Sequence, residues 1–307
     1  MWDNLHQGYY DSIPSILKKL NIVYEQDPKN IRITSHLGFI YLWKFCERNR
    51  KNPDSAIIEN IYLSNRYFKE AVELNPNDPR IKGFQSAVDM CQGAVSKNFG
   101  ELLKGYINAV KAIDKWPQFN RFALSFIESQ RDTASRMYKQ GIKFQWQVLN
   151  ECSCKELDEQ TVMNDPKIVL KNLIAELKNS TDPKIRRACW NSWIAPHNLE
   201  GFFLNFGDML VKEGRLDEAK EIYNAAKLSP SFDQWIYKKI INERIRNMEV
   251  NKVLFNKPLQ LITLSNETQL FINSKISCVG CHQMSKEEFK KFGYKKLSND
   301  IYFIDSK

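Results

Sequence analysis

Cys278, Val279, Gly280, Cys281 and His282 are the residues whose types and spacing specify chemistry most sharply in this chain. Two thiols three positions apart, followed at once by an imidazole, can form thioethers with the two vinyl groups of a haem while the ring ligates the iron. One turn then presents both sulfurs and the ring to one edge of the macrocycle. On this reading Cys278 and Cys281 anchor haem c, and His282 is the proximal ligand. Only 25 residues follow His282, and Met284 is too close in sequence to reach the opposite haem face. A distal ligand must come from Met248, His197 or His36, or be absent. The same residues suit zinc, with Cys278 and Cys281 forming a knuckle on a hairpin turn. His282 or the pair Cys152 and Cys154 would then complete four ligands. They suit equally a pair of unmodified thiols, or a local disulfide, in a tight Val-Gly turn with no cofactor.

The pentapeptide resembles the attachment motif of c-type cytochromes. That resemblance implies maturation outside the cytoplasm, hence a periplasmic protein. The N-terminus, MWDNLHQGYY, has neither a basic start nor an apolar stretch, so no signal peptide is visible. Without haem the expected location is the cytoplasm. Other chemistry is sparse. Cys152-Ser153-Cys154 is a C-x-C pair in the polar stretch 151–166, which reads as a linker or long loop, and His197 follows Pro196 beside Trp190 and Trp193. Cys46, Cys91 and Cys189 fall inside helical patterns and read as small buried hydrophobes. No HExxH, G-x-S-x-G or phosphate-loop pattern occurs, so no nucleophile–base pair is visible and an enzyme is disfavoured.

The elements that must position these residues are helical. Hydrophobic residues make up 43% of the 307 residues and charged residues 26%, enough to bury a core. Only 12 Gly and 11 Pro argue against a turn-rich all-β chain. No run approaches the ~20 apolar residues of a membrane span. The net charge of +9 comes from scattered Lys and Arg. It reads as a solvated basic surface, or as attraction to an acidic partner or a membrane surface. No nucleic-acid module signature is present, and no nucleic acid is expected.

The chain is organised around the stretch 203–230. Phe203, Phe206, Gly207 and Leu210 share one helical face, Gly214 and Arg215 make a turn, and Leu216, Ala219, Ile222, Tyr223 and Ala226 form the stripe of a second helix. Pro230 ends the unit. These residues resemble the tetratricopeptide repeat, a helix–turn–helix of ~34 residues. Leu37, Gly38 and Tyr41, followed by Phe68, Ala71, Leu74 and Pro76, repeat its logic with a longer spacing. A third unit spans 81–117, and 119–150 is aromatic-rich with helical period. Asp165-Pro166 starts a further helix, and Trp235 to Ile245 suit a capping helix.

From about residue 249 the sequence changes character: 253–277 is β-branched and alternating, a candidate hairpin turning at 265–268, with a further short strand at 301–304. The expected architecture is therefore all-α: a TPR-like right-handed helical solenoid with a small mixed α/β C-terminal module. Its parts are 1–150 (N-terminal repeats), 151–248 (further repeats and capping helix) and 249–307 (the module carrying the cysteines). The resemblance implies an interaction scaffold whose concave groove takes an extended peptide or partner protein. Electron transfer through one haem on that scaffold, and a cytoplasmic adaptor with a zinc knuckle or no cofactor, are the functions the motif adds.

Overall fold

The computed structural model describes residues 1–47, 55–151, 153, 156–179, 198–229, 231–257 and 269–283. In chain order the helices are α1 (Trp2–His6), α2 (Ile13–Gln26), α3 (Ile31–Cys46), α4 (Ser55–Leu74), α5 (Pro79–Val95), α6 (Phe99–Ala112), α7 (Pro117–Glu128), α8 (Arg136–Glu151), α9 (Glu159–Asn164), α10 (Pro166–Asn179), α11 (Leu199–Glu213), α12 (Leu216–Ala226), α13 (Lys238–Arg246), α14 (Met248–Phe255) and α15 (Val279–His282). The fold is all-α: among the described residues there is no strand beyond one isolated bridge at Asn198.

Local chemistry starts and stops these helices. Asn30, Asp78, Asn98, Asp158 and Asn198 each accept a hydrogen bond from a backbone N–H in the first turn of α3, α5, α6, α9 and α11. Such caps satisfy donors that a helix start leaves open. Gly214 ends α11 in the left-handed region, at φ +88°, a conformation that suits residues lacking Cβ.

Neighbours in sequence pack as pairs: α3 on α4, α5 on α6, α7 on α8 and α11 on α12. Two pairs share one detail. A Cβ on Gly38 of α3 would sit 3.0 Å from the Phe68 ring of α4, and a Cβ on Gly207 of α11 would sit 2.2 Å from the Tyr223 ring of α12. In each, a glycine on the first helix makes room for an aromatic on the second.

Two main cores result. The first joins Trp2, Phe39, Trp43, Phe68, Phe84 and Trp116. The second surrounds α11, in which every residue from Leu199 to Lys212 is buried. It begins at Phe122 and reaches Cys281, so it draws on α7 and α8, which the sequence grouped with the N-terminal repeats. Burying a whole helix also buries its polar residues, which then need partners. Asp208 accepts from Tyr223 Oη (2.7 Å), Arg244 Nε (2.8 Å), Arg244 Nη2 (3.1 Å) and the Phe271 amide (2.9 Å). Lys212 Nζ donates to the carbonyls of Ser129 and Arg131 past the end of α7.

Two sequence expectations need correction. Residues 253–255, expected to open a strand, belong to α14. Its inward residues Asn251 and Phe255 lie four apart, while Val253, which suggested a strand, is exposed, as is Val250. The polar stretch 151–166, expected as a loop, contains α9. The hairpin turn at 265–268, the strand at 301–304, Cys189 and Pro230 lie outside the described residues.

Candidate functional site

The Cys278–His282 segment is one helical turn set between the two cores. Its backbone is closed by His282 N–H to Cys278 C=O (2.9 Å) and Gly280 N–H to Ile276 C=O (2.7 Å). Asn198, the cap of α11, holds it from one side. The Asn198 amide donates to the Cys281 carbonyl (2.8 Å) and its side chain to the Gly280 carbonyl (3.1 Å). Trp235 Nε1 donates to the same Gly280 carbonyl at 3.1 Å. The N-terminal helices hold it from the other side. Ser277 Oγ donates to the Cys46 carbonyl (3.2 Å), the Val279 amide to Glu47 Oε1 (2.8 Å), and Gln283 Nε2 to the Gln7 carbonyl (3.1 Å). This segment, expected within an appended module, joins the N-terminal helices to the start of α11 and to Trp235.

The two motif cysteines face different cores. Cys281 is 2% exposed and belongs to the second core. A Cβ on Gly201 would come within 2.6 Å of its sulfur, so α11 seals it. Burial, with the Glu200 charge nearby, pushes its thiol far above the usual range. Cys278 packs on the first core. Its thiol is hydrogen-bonded to that of Cys46 on α3, and this contact together with burial raises its pKa as well. Cys46, read from sequence as a small hydrophobe, is thus the thiol neighbour of Cys278. No local pattern links positions so distant in the chain.

His282 is half-buried and lines a cavity of about 80 Å³ with Trp2, Phe39, Trp43, Phe84 and Cys278. Glu47, beside it in sequence to Cys46, is buried enough for its carboxyl to be pushed up to about 7, against the Val279 amide that stabilises its charge.

This arrangement does not fit a covalently attached haem. Attachment needs both sulfurs along one edge of a macrocycle, whereas Cys281 is closed off against Gly201 and Cys278 is engaged with Cys46. The cavity beside His282 is far below the ~300–1,000 Å³ of small-molecule sites. Nor do the three residues form a zinc site: among the described residues, no three His, Cys, Asp or Glu side chains are placed to share a metal ion. Cys152, Cys154 and His197 lie outside the described residues. Of the remaining distal candidates, Met248 packs on the second core, and the ring of His36 contacts the Arg32 carbonyl at 2.6 Å. What the site holds is a pair of adjacent thiols, Cys46 and Cys278, beside an aromatic cavity, with the pKa of Cys278 raised. Thiolates, not thiols, are nucleophiles and metal ligands.

A second feature, absent from the sequence reading, is the outer face of α6. Phe99 is 73% exposed, and Leu103, Ile107 and Val110 follow it on the same side, also exposed. The spacing of four, four and three makes one continuous apolar stripe. Lys104 and Lys111, seven apart, are exposed along one flank, and Lys97 just before the helix is exposed as well. The inner face bears Leu102, Gly105 and Ala109, and added Cβ atoms on Gly93 and Gly105 would collide with the facing backbone of α6 and α5. The inner face is thus spent on α5. The signal was present in the 3.6-residue period of both faces, but the inward side could not be told from the outward one.

No helix of the described residues is long and apolar enough to cross a membrane. The chain matches no family model, no curated protein and no solved structure.

Proposed function

We propose that the protein is an interaction scaffold, a TPR-like right-handed stack of helix pairs that docks an amphipathic, acidic helix of a partner protein. The observation that carries this reading is the exposed stripe Phe99–Leu103–Ile107–Val110 with lysines along its flank. Contiguous exposed apolar surface on a folded protein marks a contact site, and apolar anchors at helical spacing take a helix laid in register. The flanking lysines select acidic residues on the partner and disfavour basic ones. The repeat reading draws support from the four sequential helix pairs and from the matching Gly38–Phe68 and Gly207–Tyr223 contacts.

The test is fluorescence anisotropy with a designed helical peptide carrying leucines at one face and glutamates beside them. Binding to the full chain should weaken as salt rises and fall at least about tenfold, or 1.4 kcal/mol, in Ile107→Asp. A peptide with lysines in place of the glutamates should bind more weakly. Equal binding of the two peptides, or no effect of Ile107→Asp, would reject the reading. Binding of the chain to phosphatidylserine vesicles but to neither peptide would assign the stripe to a membrane surface instead.

A further inference from the structure

Between α7, α8 and α9 lies a cavity of about 160 Å³ lined by Arg121, Gln147, Glu151, Glu156 and Glu159. Leu157 and Val162 supply an apolar wall. Three carboxylates thus face one guanidinium, an acidic island in a chain whose net charge is +9.

Two buried acceptors in this cavity have no donor. Gln147 is 8% exposed and its Oε1 has no hydrogen-bond partner. Its amide nitrogen is taken by Glu159 Oε1 at 2.8 Å, which fixes the oxygen as the free end. The Glu151 side chain is 7% exposed; one oxygen is ion-paired with Arg121 and the other, Oε2, is unpartnered. Asn150 has no part in this deficit, because it exchanges two hydrogen bonds with the backbone of Leu157 (2.8 and 2.9 Å) and so holds the loop that closes the cavity. A buried acceptor without a donor is costly, and a donor supplied by a ligand removes that cost.

Arg121 Nε is also without a partner, so one donor stands open beside the two acceptors; the excess of carboxylates over the single guanidinium nevertheless favours a cationic ligand that carries N–H groups. Among the described residues no three carboxylate, imidazole or thiol side chains converge on a single ion, so the acceptors here are spread for a polyatomic group. A volume near 160 Å³ is close to the ~150 Å³ cavity that accommodates a benzene ring, which sets a scale of about six to eight heavy atoms.

We propose that this cavity binds a short alkylammonium ion, its N–H groups donating to Gln147 Oε1 and Glu151 Oε2 and its carbons lying on Leu157 and Val162. The ion is either a free small amine or the tip of a lysine side chain on a peptide. Both present the same group, and the test separates them.

The test is isothermal titration of the full chain with 1,4-diaminobutane, Nα-acetyl-lysine amide, tetramethylammonium and calcium chloride. The diamine or the lysine amide should bind at one site, at least about tenfold more tightly than tetramethylammonium, which has the charge but no N–H. The tighter of the two identifies the source. Glu151→Gln should weaken binding about tenfold or more. Because that change also disturbs Arg121, Glu156→Gln on the loop provides a second variant, expected to weaken binding several-fold with an unchanged melting temperature. The proposal is overturned if neither amine binds at millimolar concentration, if tetramethylammonium binds as well as the amines, if calcium binds in preference, or if Glu156→Gln leaves amine affinity unchanged.

Discussion

The thiol of Cys278 is hydrogen-bonded to that of Cys46 on α3, while Cys281, one helical turn further on, is sealed against Gly201 of α11. The two sulfurs of one short motif therefore serve two cores.

The first prediction concerns that relationship. Treatment with diamide, whose azo bond takes up the two electrons and two protons released, should join Cys46 to Cys278. The reaction should quicken with rising pH, because the pKa of Cys278 is raised and the thiolate is the reacting form. Peptide mapping of the unreduced protein reads the product. Cys281→Ser should leave the cross-link intact. A Cys278–Cys281 bridge as the main product would contradict the observed packing.

Gly207→Ala should cost about 1–3 kcal/mol, the range for overpacking a filled contact. The added carbon would meet the Tyr223 ring at 2.2 Å, and that ring cannot swing aside while its hydroxyl is bound to Asp208. Gly38→Ala should cost less, since the nearest Phe68 atoms stand at 3.0 Å. Gly100→Ala, which meets only Asn98 Oδ1 at 3.4 Å, should be neutral or stabilising by up to about 1 kcal/mol. Urea unfolding of the three variants checks the ranking; equal effects at positions 207 and 100 would refute it.

Arg244→Met should destabilise by about 3–5 kcal/mol, because it leaves the Asp208 carboxylate buried without its cation. Both side chains of this pair are at most 1% exposed. The pair ties α11 to α13, and through the Phe271 amide to the segment leading to Cys278. Adding Asp208→Asn should recover part of the loss, since it removes the stranded charge. A double variant no better than the single one would show that charge is not the source of the cost.

Stability should fall as pH rises from about 5 to 8. Glu128 is 1% exposed, and neither carboxylate oxygen has a partner among the described residues. Burial pushes its pKa up to about 8 despite the opposing charge of Arg131, and Glu47 is pushed up to about 7. Between the ordinary carboxylate range and these values the folded state holds protons that the unfolded chain has released, so each pH unit removes up to about 1.4 kcal/mol per group. His36, lowered to about 4 by burial, opposes one of these two groups up to about pH 6.5. Lys212, lowered to about 8 by burial, adds a slope of opposite sign only above that value. Urea midpoints measured from pH 5 to 8 should decline, and Glu128→Gln should flatten the decline. A wild-type midpoint independent of pH would rule the account out.

The amino-acid sequence by itself determined the all-α class and most of the longer helices. Capping residues such as Asn98 and Asn198, and stripes such as Ala219, Ile222, Tyr223 and Ala226, act within one or two turns, so they are legible without knowing the fold. Gly207 was legible as a gap on its helical face for the same reason, but that the Tyr223 ring fills it was decided by the packing. Only the tertiary structure decided what lies inside. Val250 and Val253 look like strand residues, yet α14 turns them outward and buries Asn251 and Phe255, with the Arg244 guanidinium over the Phe255 ring. Gln147 and Glu151 are ordinary polar helix residues until α9 folds over them and removes their water. Cys278 and Cys281 carry identical chemistry and sit one turn apart. Their different fates follow from long-range packing: α3 brings Cys46 to one sulfur and α11 brings Gly201 to the other, and no local pattern encodes which distant surface a side chain will meet.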